Sequence, residues 1–206
     1  MPVGPQIPNA LVLLDFFGIA VFAVSGALVA AERRLDFVTF IFFAVITGVG
    51  GGTLRDLLIG APVFWVRTNA TLIICIFAAA LVWLGRRERF AGKALLWFDA
   101  AGMAAYAAYG AAKAIAFAVA PVPAFVMGVL TACAGGIIRD VLAGQPSVLM
   151  RRELYVTPAA LSAGLYVALA LAGLGVWIAA AIAIAAGFAL RGAAIAWRWS
   201  LPAYRD

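Results

Sequence analysis

A glycine cluster followed by an Arg-Asp pair occurs twice in this chain, each time inside an apolar stretch. The first copy covers residues 50–56 (GGGTLRD) and the second covers residues 135–140 (GGIIRD), 84 positions apart. Glycine weakens a helix, and one charge at the centre of a bilayer costs about 2.5–3.5 kcal/mol. Because this pattern is costly in an apolar segment and occurs twice, it indicates a specific role in the protein.

The composition predicts an integral membrane protein. Hydrophobic residues make up 67% of the chain, charged residues only 12%, and the mean hydropathy is +1.09. A soluble globule of this size needs more polar surface than that. The formal net charge of +6 does not indicate nucleic acid as a partner, because the basic residues stand in short clusters between apolar runs. Membrane lipids are the expected surroundings.

The titratable residues exclude the common metal and cofactor sites. The chain has no histidine, and its two cysteines, Cys75 and Cys133, are isolated in apolar segments. Zinc, haem and iron–sulfur sites and His-based triads are therefore not expected. We predict no cofactor and no resident metal, only transient K⁺, and interpret the two cysteines as inert core residues. The first apolar run is interpreted as a span and not as a signal peptide.

Seven apolar windows of spanning length predict an all-α polytopic fold. Lys and Arg concentrate on one side of these windows, whereas the other side has Arg67 alone. Cytoplasmic loops carry such an excess, so the N-terminus is predicted outside and the C-terminus in the cytoplasm. The windows are residues 10–31, 37–60, 67–84, 95–118, 122–143, 155–173 and 176–198, and the basic side holds Arg33, Arg34, Arg86, Arg87, Arg89, Lys93, Arg151, Arg152, Arg191, Arg198 and Arg205.

An internal repeat divides the chain. Shifting it by 84 positions aligns residues 15–84 with residues 99–168 without a gap, and about 20 of the 70 positions match. Each copy holds three spans, an odd number, so the second copy enters from the opposite face. We predict one membrane domain, residues 1–206, with inverted repeats at about 10–84 and 95–169 and a seventh helix at about 176–198. Inverted repeats are typical of solute-moving proteins, although duplication can also simply give a stable bundle.

The glycines allow two interpretations. A run of glycines favours a kink or a break, which would turn backbone carbonyls toward a central path where they replace part of a cation's hydration shell. We predict such kinks at Gly50, Gly51 and Gly52 and at Gly135 and Gly136. The alternative is close helix packing through small residues.

The charges of the two motifs are placed by depth. Asp15 and Arg55 both lie about 7–8 Å from the outer face, counting 1.5 Å per residue, so they are predicted to meet. Asp99 and Arg139 are predicted to pair at a matching depth near the cytoplasmic face. Adjacent helical residues point about 100° apart, so Arg55 and its neighbour are expected to find separate partners on other elements. Asp56 and Asp140 complete the two sets.

These charges have two possible roles. Ion pairs satisfy buried charges without any further function. Alternatively, the paired layers flank a constriction and rearrange with voltage or ion occupancy, which is gating.

The fourth span carries a polar stripe. Asp99, Tyr106, Tyr109 and Lys113 fall within an arc of about 80° on a helix otherwise made of small and apolar residues. The two tyrosines are predicted to line a path, since they lie too near the middle of the span for interfacial anchors. Lys113, close to the outer end, is predicted to snorkel.

The doubled motif, the Gly-x-Pro that follows each copy (residues 60–62 and 144–146) and the arrangement of three plus three plus one spans resemble the prokaryotic members of the trimeric intracellular cation (TRIC) channel family. The resemblance covers essentially the whole chain. It implies a homotrimer in which each subunit has its own pore for K⁺ and Na⁺, lined by spans one, two, four and five and kinked at the glycines. Animal members carry Lys-Glu-Val at the positions of residues 135–137, so their lipid regulation is not implied here. The resemblance implies a location in a prokaryotic plasma membrane.

The sequence therefore predicts a passive K⁺-permeable channel that discriminates weakly against Na⁺, because no ring of unpaired carboxylates is apparent. The main rival is a secondary transporter of a small solute such as glycine, which inverted repeats and broken helices also suit. An enzyme is not expected, because no nucleophile–base pair can be assembled; a structural scaffold is a third alternative. The polar residues predicted to line the pore are Ser25, Thr47, Tyr106, Tyr109 and Thr131.

Overall fold

The computed structural model describes residues 9–85, 93–150 and 153–202, and within these ranges it contains seven α-helices. Two short 3-10 turns, Phe64–Val66 and Val148–Met150, precede the third and sixth helices, and one isolated bridge joins Glu153 to Ser200. The helices are α1 (Asn9–Glu32), α2 (Phe37–Leu58), α3 (Asn69–Leu84), α4 (Lys93–Ala116), α5 (Pro121–Leu142), α6 (Val156–Leu171) and α7 (Val176–Trp197).

The seven predicted spans match these helices to within a few residues at each end. Four of them, α1, α2, α5 and α7, are long and apolar enough to cross a membrane. The third and sixth, predicted as the shortest, have 16 residues each. Part of the basic set behind the predicted orientation lies outside the described residues, namely Arg86, Arg87, Arg89, Arg151, Arg152 and Arg205.

The helices pack as two equivalent triplets. Within the first repeat α1 contacts α2 and α3, and within the second α4 contacts α5 and α6. The repeats meet through α1 against α4 and α2 against α5, while α7 lies on α4 and α6. The buried surfaces are rich in alanine and glycine, which lets helix backbones approach closely where lipid provides no hydrophobic driving force.

Two contacts that are equivalent in the two repeats form the crossing of α2 and α5. Gly51 lies against the backbone carbonyl of Thr131, and Gly135 lies against the carbonyl of Thr47. A Cβ atom at residue 135 would stand 2.6 Å from the Thr47 oxygen, and one at residue 51 would overlap the Thr131 oxygen. Only glycine fits at these two positions.

This crossing corrects part of the prediction for the glycines. Both α2 and α5 run as uninterrupted helices through the glycine clusters, so the predicted break that would free backbone carbonyls is not present. The physical reason is that close packing against the partner repeat stabilises a helix through glycines that are weak helix formers on their own. A bend at these positions stays a prediction.

The two helices that carry the Arg-Asp pairs, α2 and α5, end in the same way. Gly60 and Gly144 adopt left-handed φ angles of 67° and 62°. The amide that follows each glycine donates back into the last turn, Ala61 to the Asp56 carbonyl at 2.8 Å and Gln145 to the Asp140 carbonyl at 2.9 Å. This is a Schellman end, which favours glycine at the left-handed position. It ends each helix within the turn that follows the charged pair.

The N-terminus of α2 is capped by an exposed carboxylate outside the spans. The Thr39 amide donates to Asp36 Oδ1 and the Thr39 hydroxyl donates to Asp36 Oδ2, both at 2.9 Å. The backbone hydrogen bond from Thr39 holds the pKa of Asp36 below its ordinary value of 3.8. The charged carboxylate therefore stabilises the start of the helix.

Replacing Asp36 by alanine is expected to lower the apparent melting temperature in a pH-dependent way. Because the folded-state pKa is depressed, the contribution of Asp36 is fully present above pH 3.8 and is lost as the pH falls through the folded value. Thermal unfolding of wild type and Asp36→Ala in detergent at pH 6 and pH 3 measures this. A difference between the two proteins that is the same at both pH values would contradict the capping role.

Candidate functional site

Arg139 is the centre of a buried ion-pair cluster on α5. Its Nη1 lies 2.8 Å from Asp99 Oδ1 on α4, and its Nη2 and Nε each lie 2.9 Å from Asp140 Oδ1. Nη1 also donates to the Ser25 hydroxyl on α1. We call Asp99, Arg139 and Asp140 the Arg139 cluster. The predicted pairing of Asp99 with Arg139 is present.

We call Asp15 of α1, Arg55 and Asp56 of α2 and Lys113 of α4 the Arg55 cluster, the counterpart of the Arg139 cluster in the first repeat. Arg55 Nη2 lies 2.8 Å from Asp56 Oδ1, and Lys113 Nζ contacts the same carboxylate at 2.8 Å to Oδ1 and 2.9 Å to Oδ2. The Phe64 amide also donates to Asp56 Oδ2 at 3.2 Å. Asp56 therefore anchors two cations and the turn after α2.

Three predictions about these charges are wrong. Asp15 does not pair with Arg55; its buried Oδ1 accepts no hydrogen bond in the described part of the protein. Arg55 instead folds back onto its own neighbour, because an arginine side chain is long enough to span the 100° between adjacent helical positions. Lys113 does not snorkel to the surface, since Asp56 holds its ammonium group within the protein.

The two clusters differ at two pairs of positions that the repeat makes equivalent. Ser25 stands where the second repeat has Tyr109, and Val29 stands where it has Lys113. The Arg139 guanidinium accordingly donates to a hydroxyl, whereas the Arg55 guanidinium stacks on the Tyr109 ring with its carbon 4.8 Å from the ring centre. A cation–π contact thus replaces a hydrogen bond.

A polar layer lies between the clusters at the α2–α5 crossing. The Tyr106 hydroxyl donates to the Gly48 carbonyl at 3.3 Å, and the Thr131 hydroxyl donates to the Met127 carbonyl at 2.5 Å. Thr47 Oγ1 is buried without a hydrogen bond among the described residues. The five residues predicted to line a pore are at most 1% exposed in this conformation, namely Ser25, Thr47, Tyr106, Tyr109 and Thr131.

A further ion pair near the Arg139 cluster was missed by the sequence analysis, which assigned Arg191 to topology alone. Arg191 Nη2 lies 2.9 Å from Glu153 Oε2, its Nη1 donates to the Leu154 carbonyl at 2.8 Å, and its guanidinium lies 5.3 Å from the Tyr155 ring centre. An arginine inside an apolar helix was the available signal, but its partners lie on the loop before α6.

The described residues offer little for a resident metal. No group of three or more His, Cys, Asp or Glu side chains that could hold a metal ion occurs among them. Cys75 and Cys133 are buried free thiols in the same part of the chain. The chemistry available at the site is therefore that of carboxylates, guanidiniums, one ammonium, hydroxyls and backbone carbonyls.

Comparison with known proteins gives matches over nearly the whole chain. A family model described as "Glycine transporter" matches residues 12–87 and again residues 96–171, one copy on each repeat. A UPF0126 membrane protein of Vibrio cholerae is 40% identical over 203 residues, which cover 95% of this chain and 83% of the relative. The UPF0126 inner membrane protein YadS of Escherichia coli is 37% identical over 195 residues, with 93% and 94% covered.

Solved structures share the fold at full length. The crystal structure of the TRIC trimeric intracellular cation channel orthologue from Rhodobacter sphaeroides superposes with a TM-score of 0.86 at 40% identity, covering 93% of this chain and 100% of that one. A second structure, described as a TRIC cation channel, gives a TM-score of 0.82 at 28% identity, covering 94% of this chain and 97% of that one.

Proposed function

Because this chain belongs to the trimeric intracellular cation (TRIC) channel family, we propose that it is a channel for monovalent cations that passes K⁺ and discriminates weakly against Na⁺. One pore runs through each subunit at the interface of the inverted repeats. Three subunits form a homotrimer in a prokaryotic plasma membrane, with the N-terminus outside and the C-terminus in the cytoplasm. No enzymatic activity is proposed.

The observation that carries this proposal is the stack of polar layers along the repeat interface. The Arg139 cluster lies at one end, the Arg55 cluster at the other, and the Thr47, Thr131 and Tyr106 layer lies between them. Ionisable groups inside a membrane are costly, and they commonly mark ion pathways. Hydroxyl and carbonyl oxygens are the ligands that can replace the hydration shell of K⁺.

The conformation supports a closed state of that pathway. The residues of the polar layer are out of contact with solvent, and the rings of Phe22 and Tyr106 stack with 5.3 Å between their centres beside the α1–α4 crossing. Arg55 and Arg139 place positive charge at each end, where an unpaired guanidinium would repel a cation. Opening therefore requires both side chains to stay neutralised by their carboxylates or to swing aside.

Single-channel recording tests the proposal. Purified protein in a planar bilayer with asymmetric KCl is expected to give discrete current steps that reverse near the K⁺ equilibrium potential, and replacing K⁺ by Na⁺ is expected to reduce the current only modestly. The family model's description favours one rival, a carrier of glycine. Silence across voltages, together with saturable glycine uptake into liposomes, would replace the channel by that carrier.

A further inference from the structure

An aromatic side chain contacts the last glycine of each Arg-Asp motif. In the first repeat the Phe64 ring lies against Gly52, where a Cβ atom would stand 2.7 Å from the ring carbon Cε1. In the second repeat Tyr155 lies against Gly136, where a Cβ atom would stand 2.9 Å from the hydroxyl oxygen. Each glycine therefore makes room for an aromatic side chain from the connection between its own helix and the next one.

The two contacts also include the guanidinium of the motif. A Cβ atom at residue 52 would be 3.5 Å from Arg55 Nη2, and one at residue 136 would be 3.6 Å from Arg139 Nη2. A glycine, a guanidinium and an aromatic side chain thus meet at each end of the stack of polar layers. Both guanidiniums are buried, Arg55 with 0% and Arg139 with 2% of its surface exposed. Both ends of the proposed pathway are therefore closed in this conformation.

The two aromatic side chains do not come from equivalent positions. The 84-residue shift aligns Phe64 with Val148 and Tyr155 with Thr71, whereas the glycines and the arginines of the two motifs align with each other. Duplication explains why the glycine and the arginine occur twice. It does not explain why an aromatic side chain lies beside each pair. The same contact made from two unrelated positions favours a role for the aromatic side chain itself.

The Phe64 ring lies between α2 and α4 on a short segment. Its backbone amide donates to Asp56 Oδ2 at 3.2 Å, and its ring centre lies 5.7 Å from the Lys113 ammonium. The neighbouring Trp65 Nε1 donates to the Thr53 hydroxyl at 2.9 Å. The segment is a single 3-10 turn followed by exposed residues. Such segments open at a lower free energy than packed helices, so the ring can move while α2 and α4 stay folded.

Tyr155 carries a polar group that is unsatisfied in its buried position. Its side chain is 2% exposed, and its hydroxyl makes no hydrogen bond within the described residues. A buried hydroxyl without a partner is less stable than one in water. Turning the ring toward water removes that cost, which lowers the free energy needed to move the side chain away from Gly136.

We propose that Phe64 and Tyr155 are the gates at the two ends of the cation pathway. Each side chain closes its end by lying against Gly52 or Gly136, and it opens that end by moving away from the glycine while the α2–α5 crossing stays intact. The inference rests on the proposed channel function and adds two gating residues to it. The alternative is that both side chains only fill space between helices.

Bilayer recording of Phe64→Ala tests the first gate. The open probability is expected to rise about tenfold, because loss of the ring contact disfavours the closed state only. Phe64→Tyr keeps the ring and should behave as wild type. Val66→Ala is the matched control, since Val66 belongs to the same turn but is 68% exposed, and it should change nothing. An unchanged or lower open probability in Phe64→Ala would show that the ring only fills space.

Gly52→Ala moves the same ring without removing it. Its Cβ would collide with the end of the Phe64 side chain, which can shift, and not with a backbone carbonyl. The variant is therefore expected to fold and to raise the open probability as Phe64→Ala does. A rise in Phe64→Ala that Gly52→Ala does not share would contradict closure through this contact.

Chemical labelling tests the Phe64 gate without any current. Lys113 is one of two lysines in the chain, and its side chain is 2% exposed next to the Phe64 ring. The full chain in detergent is treated with a sulfonated, water-soluble amine-acylating reagent, and mass spectrometry measures labelling of Lys113 relative to the denatured protein. Labelling is expected to rise severalfold in Phe64→Ala and Gly52→Ala but not in Val66→Ala.

The two measurements separate the gate from the channel. Increased labelling with no current in any of the proteins would overturn the proposed channel and keep the movable ring. Currents in all of the proteins, with neither labelling nor open probability raised in Phe64→Ala, would keep the channel and overturn the gate.

A suppressor variant tests the second gate. The added Cβ of Gly136→Ala should displace the Tyr155 side chain and raise the open probability. Tyr155→Phe removes the colliding hydroxyl, after which the nearest atoms are Asp99 Oδ1 at 3.5 Å and Arg139 Nη2 at 3.6 Å. The double variant should therefore return to the wild-type open probability. A double variant as open as Gly136→Ala, or no rise in Gly136→Ala itself, would show that Tyr155 is not a gate.

Discussion

Replacing Gly51 or Gly135 by alanine is expected to break the association of the two repeats. The new Cβ of either variant would collide with a backbone carbonyl oxygen, that of Thr131 for residue 51 and that of Thr47 for residue 135. A carbonyl within a helix cannot move aside as the end of a flexible side chain can. Overpacking of this kind costs about 1–3 kcal/mol and occasionally more, and it pushes α2 away from α5.

The measurement is the temperature at which the detergent-solubilised protein loses its monodisperse size-exclusion peak. Gly164→Ala is the matched control, because Gly164 also lies within a membrane helix but its added Cβ would make only ordinary contacts, 3.5 Å from the Phe125 ring. Since alanine is the better helix former by about 1 kcal/mol, this control should be unchanged or more stable. Equal behaviour of all three variants would show that the crossing tolerates a wider spacing.

The second large effect is expected from Arg139→Met, and it should exceed that of Arg55→Met. Removing the Arg139 guanidinium takes away the cation that joins Asp99 to Asp140. Breaking a buried ion pair by deleting one partner costs about 3–5 kcal/mol. Removing Arg55 leaves Asp56 with the Lys113 ammonium at 2.8 Å, so that loss should be clearly smaller.

Unfolding in a graded denaturing detergent, followed by helical circular dichroism, compares the two variants. The double variant Arg139→Met with Asp99→Asn should recover part of the loss, because it removes a charge that the single variant leaves uncompensated. A smaller loss for Arg139→Met than for Arg55→Met would mean that Lys113 does not substitute for Arg55. In bilayer recordings of Arg139→Ala, unchanged conductance and voltage dependence would make a gating role for this residue untenable.

The helices and their arrangement were largely predictable from the sequence. Spanning length, the doubled glycine motif and the 84-residue shift led to the seven helices and to the equivalence of Arg55 with Arg139. The depth argument also predicted the ion pair between Asp99 and Arg139. The length of the apolar segments and the internal repeat indicate where the helices lie, and both can be read from a single sequence.

Depth did not predict the partner of Arg55 in the other cluster, because residues at equal depth can still choose different partners. Asp15 and Arg55 are at matching depths, but the Arg55 guanidinium pairs with the adjacent Asp56 and stacks on the Tyr109 ring. Which of several reachable partners a long side chain takes depends on rotamers and on third residues. The internal symmetry predicted equivalent ion pairs in the two repeats. The repeats differ at Ser25 and Val29, which correspond to Tyr109 and Lys113, and there the equivalence ends.

The glycine clusters show a similar limit. Their sequence favoured a kink or a break, whereas α2 and α5 are uninterrupted and Gly51 and Gly135 allow the close approach of the two helices. A glycine cluster of the same local sequence is compatible with a kinked helix and with a tightly packed intact helix. Only the position of the partner helix, a long-range property, distinguishes a glycine that frees a carbonyl from one that rests against a carbonyl.

The reciprocal crossing of α2 and α5 has the form of an interface between two identical molecules. Gly51 meets Thr131 and Gly135 meets Thr47, so residue i contacts residue j and j contacts i, as in an isologous two-fold dimer. A chain holding a single repeat would make this contact with a second copy of itself, provided that half of the copies inserted in the opposite orientation. Fusion of the two copies fixes the pairing and frees each half to diverge.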